Sequence, residues 1–166
     1  MAAENLKSAV ITNATATPLV LSNSNIANGV LREGCGSITP AAAAEVASTY
    51  RFCRLPSNCR VSQILISCAA FTTAGAVDVG IYQTSENGGA VVDADLFASA
   101  VALTAAKDNS DVTHESAEYS LAEREKMLWE VLGLSADSNR EYDVAMTVTT
   151  QFNGGSIMHL KARYVV

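Results

Sequence analysis

At 166 residues, 49% hydrophobic and 17% charged, the chain is long enough to bury one real core and too short to require several domains. Its formal net charge of −6 leaves no surplus of Lys and Arg for neutralising phosphates, so no nucleic-acid partner is expected. The apolar content comes largely from Ala and Val interspersed with Thr and Ser, and aromatics are only 6%; that mixture favours many short strands over long charged helices.

The opening MAAENLKSAV carries Glu4 and no apolar h-region, so no secretory signal is expected. No segment approaches the roughly 18 to 20 apolar residues of a membrane helix, so no membrane partner is expected. Without an export signal, Cys35, Cys53, Cys59 and Cys68 are expected to be free thiols in a reducing cytoplasm.

Residues 1–45 are dominated by small and polar types. Apolar triplets such as Leu19-Val20-Leu21 are broken by Asn, Ser and Gly too often for a continuous core element. The stretch reads as an extended arm that has little apolar surface of its own to offset ordering entropy, and so is either disordered alone or ordered by lying on a neighbour. Leu19, Val20, Leu21 and Ile26 are its candidate contact residues.

From about residue 46 to 166 the pattern is that of a mainly β body. TYRFCRL places Tyr50 and Phe52 on one face and Arg51 and Cys53 on the other. Pro56-Ser57-Asn58 forms a turn, and RVSQILISCAAF continues as a second strand. Cys53 and Cys59 are expected as small buried hydrophobes that could face each other across this turn. In VDVGIYQT, Val77, Val79 and Ile81 alternate with Asp78, Gly80 and Tyr82, the period of a half-buried strand.

Asn87-Gly88-Gly89 lacks the Gly-Lys-Ser/Thr of a phosphate loop and reads as a tight reversal. Asp93-Ala94-Asp95, with Asp78 and Glu86 near in sequence, could offer oxygen ligands to a hard cation. The EF-hand order is absent, however, so a solvated strand end is expected and no metal or cofactor is assigned.

A helix is expected at about 121–132. Ser120 and Glu123 have capping-box spacing, Leu121, Leu128, Trp129 and Leu132 recur at helical intervals, and Gly133 follows as a left-handed terminator. YDVAMTVTT then alternates Val144, Met146 and Val148 inward. The last segment sets Met158, Leu160, Ala162 and Tyr164 against His159, Lys161 and Arg163, after a turn at Asn153-Gly154-Gly155. His114 in a polar loop and His159 on an outward position both read as surface residues, so no catalytic base is assigned. Many strands, turn signals and one helix point to a β-sandwich or jelly roll.

The run TYRFCRLPSNCRVSQILISCAAFTTAGAVDVGIYQTSENGGAVVDADLFASAVAL, with EKMLWEVLGLSADSNREYDVAMTVTT and the final ARYVV, resembles a family of small tailed-bacteriophage virion proteins encoded near the major capsid protein. The resemblance covers roughly residues 45–166 and implies a capsid decoration or cement protein. Such a protein would have a jelly-roll or sandwich body and assemble as a homotrimer that bridges neighbouring major capsid protein subunits. It would be made in the host cytoplasm and carried on the outer surface of the virion, with no catalytic residue. A tail, fibre or vertex module that binds host carbohydrate is the alternative; the low aromatic content disfavours it.

Overall fold

The computed structural model describes residues 4–41, 43–71 and 74–166. Residues 1–3 and 42 of the expected arm lie outside the described residues. Ten strands follow a short N-terminal helix, α1 (Ala9–Ala14). They are β1 (Leu31–Ile38), β2 (Ala43–Ala44), β3 (Thr49–Pro56), β4 (Arg60–Cys68), β5 (Ala76–Gln83), β6 (Val91–Ala102), β7 (Lys107–Asp111), β8 (Glu141–Thr150), β9 (Phe152–Asn153) and β10 (Met158–Val165); a second helix, α2 (Leu128–Val131), precedes β8.

One four-stranded sheet has the order β1-β10-β4-β7 and the other β3-β8-β5-β6, with β2 and β9 forming a small ribbon. All pairings are antiparallel. Among the eight long strands only β5 and β6 are both consecutive and in the same sheet; every other connection crosses to the opposite sheet. That alternation is the jelly-roll topology, in which two Greek keys close into a two-sheet sandwich.

The sandwich forms because the period-two residues of both sheets turn inward. Val77, Val79, Ile81, Val144, Met146 and Val148 from one sheet meet Ile64, Ile66, Met158, Leu160 and Ala162 from the other, all at most 3% exposed. Each large aliphatic side chain buried in this way contributes about 1.5 to 3 kcal/mol. The ends are closed by aromatics: Phe71 packs on Phe152 at 4.5 Å between centroids, and Phe97 meets the edge of Tyr119 at 5.5 Å. Tyr119 donates its hydroxyl to the Val61 carbonyl at 2.9 Å.

Three expectations change for the strands and cysteines, and a fourth for the helix. Within the stretch read as an arm, Leu31–Ile38 pairs along its full length with β10, so the segment outside the sheets is residues 4–30. β1 escapes a period-two reading because its inward positions are glycines: a Cβ at Gly36 would lie 2.3 Å from the Phe52 carbonyl oxygen, where β1 crosses β3. On β3 itself, the register jumps from Arg51–Ala145 to Cys53–Val144. Phe52 is therefore the extra residue of a bulge, and the alternation resets after it. Cys53 joins Leu55 against the core, while Arg51 and Arg54 share the outer face. Finally, Cys53 and Cys59 do not face each other across a hairpin, because β3 and β4 lie in different sheets; all four cysteines are free thiols.

The helix expected at about 121–132 is broken. A 3-10 turn spans Leu121–Glu123, and α2 covers only Leu128–Val131. Met127 is extended (φ −71°, ψ 155°). The amides of Leu128 and Trp129 donate to Cys59 O at 2.7 Å and Ser57 O at 3.0 Å. The turn before β4 thus captures donors that a continuous helix would spend on its own preceding turn. Leu121 is 72% exposed, whereas Leu128 is buried.

Candidate functional site

The arm is the part of the chain with the least cover. Ser8 caps α1, its hydroxyl accepting from the Ile11 amide, and the helix buries none of its residues. After it the chain folds back: Val20 N donates to Asn13 O at 3.4 Å, and Asn13 Nδ2 donates to Ser22 Oγ at 3.1 Å. Between helix and return segment lies a shallow concavity of about 220 Å³ lined by Val10, Ala14, Leu19, Val20, Leu21 and Ala27. Leu19 is 66% exposed, Val20 49%, Leu21 87% and Ile26 36%.

The arm is fastened to the body at its far end. Asn25 donates to Asn58 O at 2.9 Å and its own carbonyl accepts from Arg60 Nε at 2.8 Å. Val30 and Val166 exchange reciprocal backbone bonds at 3.0 and 3.2 Å. The structure therefore brings the four candidate residues into one folded segment on a fixed base, with three of them at or near a common apolar groove and Ile26 beside its root.

On the outer face of the second sheet, the bulge at Phe52 turns Arg51 and Arg54 toward Asp143. Arg51 Nη1 reaches Asp143 Oδ2 at 2.9 Å, and Arg54 Nε reaches Oδ1 at 3.1 Å. Arg51 also donates to Gln83 O and Gly89 O, both at 2.6 Å, and lies over the Tyr82 ring. One guanidinium thus ties the ends of the β5–β6 reversal to β8. The reversal is a 3-10 turn, Ser85–Asn87, followed by Gly88 and Gly89 at positive φ. Glu86 within it pairs with Arg54 at 3.1 Å. Its carboxyl falls to about 2, through its own backbone amide first and then Thr84 and Arg54. These ion pairs and hydrogen bonds join the β5–β6 turn to β3 and β8.

Asp93 and Asp95 are half-buried on β6 and meet exposed Glu118, with ligand atoms of all three within 4.8 Å of one another. Glu118 is held above the usual carboxylate range by its hydrogen bond with Asp93 and by the charges of Asp93 and Asp95. Asp78, named with them from the sequence, is elsewhere: it accepts from the Ala100 amide at 2.7 Å.

The histidines are bound into the scaffold. His159 Nδ1 lies 2.8 Å from Ser37 Oγ, a contact that follows from the Ser37–His159 register on the exposed face of the first sheet. His114 stacks on Tyr119, with Nδ1 2.6 Å from the Tyr119 carbonyl and Nε2 3.0 Å from Arg124 Nε. The thiols of Cys53 and Cys59 are pushed up to about 12 by burial, which keeps both in the unreactive protonated form.

No protein-family model matches the chain, and no curated protein matches it in sequence. In structure it is similar to a chain of the Cyanophage Pam1 capsid asymmetric unit, at a TM-score of 0.50 and 14% identity over 83% of this chain and 86% of that one. It is also similar to a chain of the acidic stable capsid structure of Helicobacter pylori bacteriophage KHP30, at a TM-score of 0.45 and 10% identity over 83% and 89% of the two chains. At 14% identity the first likeness establishes a shared fold.

Proposed function

We propose that this protein is a non-enzymatic structural component of a phage virion, a decoration or cement protein that sits as a homotrimer on the outer capsid surface and bridges neighbouring major capsid protein subunits. The carrying observation is the arm. A folded helix-and-return segment is fixed to a rigid jelly roll at Asn25 and Val30, yet leaves Leu19, Val20 and Leu21 on its surface. Contiguous apolar side chains on a built segment mark a surface that another chain covers. The shared fold with a chain of the Pam1 capsid supports the same reading.

Bridging contacts resist capsid rupture because each must break before subunits part, and contacts linked through one rigid body add through effective concentration. The jelly roll supplies the rigid body and the arm the reach. Deletion of residues 1–24 preserves the Asn25 and Val30 attachments and removes the groove. Purified capsids incubated with this variant are expected to retain at most a tenth of the copies bound with the intact chain. Equal occupancy would exclude the arm as the bridging element.

A further inference from the structure

A second concavity, about 290 Å³, opens where β4, the loop after β7 and the turn before α2 meet; Arg60, Gln63, Asp111, His114 and Arg124 line it. Among the described residues neither Arg60 nor Arg124 forms an ion pair, although the chain carries 17 acidic residues against 11 basic ones. Arg60 uses Nε on the Asn25 carbonyl and Arg124 uses Nε on His114. Among the described residues no hydrogen bond or ion pair engages the terminal nitrogens of either guanidinium.

The lining carboxylate is already engaged. Asp111 accepts from the Thr113 amide at 3.0 Å and from the Thr113 hydroxyl with one oxygen, and from Gln63 at 3.4 Å with the other. The imidazole is fixed as well. A carbonyl only accepts and an arginine Nε–H only donates, so the two contacts of His114 place its donated ring proton on Nδ1. Two guanidiniums against one carboxylate leave a single positive charge. That balance suits a monoanion, whereas a phosphate monoester brings about −1.5 to −2.

From this geometry we infer that the Arg60–Arg124 concavity is a receptor for one carboxylate, the side chain of an Asp or Glu on a neighbouring protein chain. Guanidinium forks match the two oxygens of a carboxylate, and both arginines that line this concavity have terminal N–H groups to offer one. The source of the carboxylate rests on the virion reading above: Arg60 holds the arm's root at Asn25, so the receptor adjoins the segment that meets a neighbour.

Titration of the isolated full chain with N-acetyl-glutamate α-amide, followed by the Nε–Hε resonances of Arg60 and Arg124, tests the receptor without any capsid. Saturable shifts at both arginines are expected, with R124Q weakening the response at Arg60 at least tenfold. R124Q removes an exposed side chain together with its Nε donation to His114, and its fold is checked by its amide spectrum. No saturable shift, an undiminished response in R124Q, or tenfold tighter binding of inorganic phosphate would overturn the inference. In a second arm, R124Q is expected to bind capsids at least threefold more weakly than the unaltered chain. Unchanged capsid binding beside a positive titration would overturn the neighbouring chain as the source, and leave the arm-based reading to its own deletion test.

Discussion

Asp143 sits directly opposite Arg54 in the β3–β8 register, yet its closest guanidinium is that of Arg51, 2.9 Å away and diagonal to it. The bulge at Phe52 makes this possible by putting both arginines on one face. The Asp143 side chain is only 11% exposed, so removing it leaves Arg51 half-buried without a counter-charge. Asp143→Ala is expected to lower stability by about 3 kcal/mol, read as a reduced midpoint in urea. A loss below about 1 kcal/mol would mean that the carbonyls of Gln83 and Gly89 hold Arg51 on their own.

Gly36 and Phe52 provide a second stability test. An alanine Cβ at position 36 would lie 2.3 Å from a backbone oxygen, whereas one at Gly34 would lie 3.3 Å from the Cys53 Cβ. Gly36→Ala is expected to cost about 2 kcal/mol or more, and Gly34→Ala distinctly less. Thermal unfolding of the two variants side by side decides the point, and equal melting temperatures would show that β1 and β3 separate freely.

Two carboxylates shape the acid response in opposite senses. Glu118 is raised in the fold by Asp93 and Asp95, so the native state binds its proton more readily than the unfolded chain does. Its ionised form costs stability at neutral pH, and that cost fades as pH falls toward the ordinary 4.5. Glu118→Gln is therefore expected to be more stable than the parent at pH 7 and equal to it below pH 4.5. Glu86 is depressed from 4.5 to about 2, so its contribution is intact above pH 4.5 and lost between there and about pH 2. Urea midpoints of the parent, Glu118→Gln and Glu86→Gln across this range read both effects. A Glu118→Gln advantage that grows on acidification would refute the assignment.

Strands β5, β8 and β10 are legible in the sequence because each has a core on one face, and Asn87-Gly88-Gly89 because a reversal needs positive φ. β1 and β7 are not. The inward side of β1 meets the Phe52 backbone at Gly36 and the Cys53 side chain at Gly34, so close approach leaves glycines where a pattern search expects Val or Ile. β7, KDNSD, is an edge strand with little apolar surface to declare it. The helix at 121–132 had correct local signals, and a long-range event, the capture of the Leu128 and Trp129 amides by Cys59 and Ser57, overrode them. The arm's exposed apolar residues could be named from composition alone. Arg60 and Arg124 stand 64 positions apart with no motif between them, and only the fold places them on one concavity.

The ladder between β1 and β10 also determines how the molecule carries mechanical load. Tension entering from the arm along the axis of Leu31–Ile38 stresses all eight register pairs together, in shear. Tension at a right angle peels the same ladder one bond at a time, starting at Val30 and Val166. The resistance of the arm's root to pulling is therefore direction-dependent, and the angle at which it leaves the sandwich sets whether the joint holds as a rope or opens as a zip.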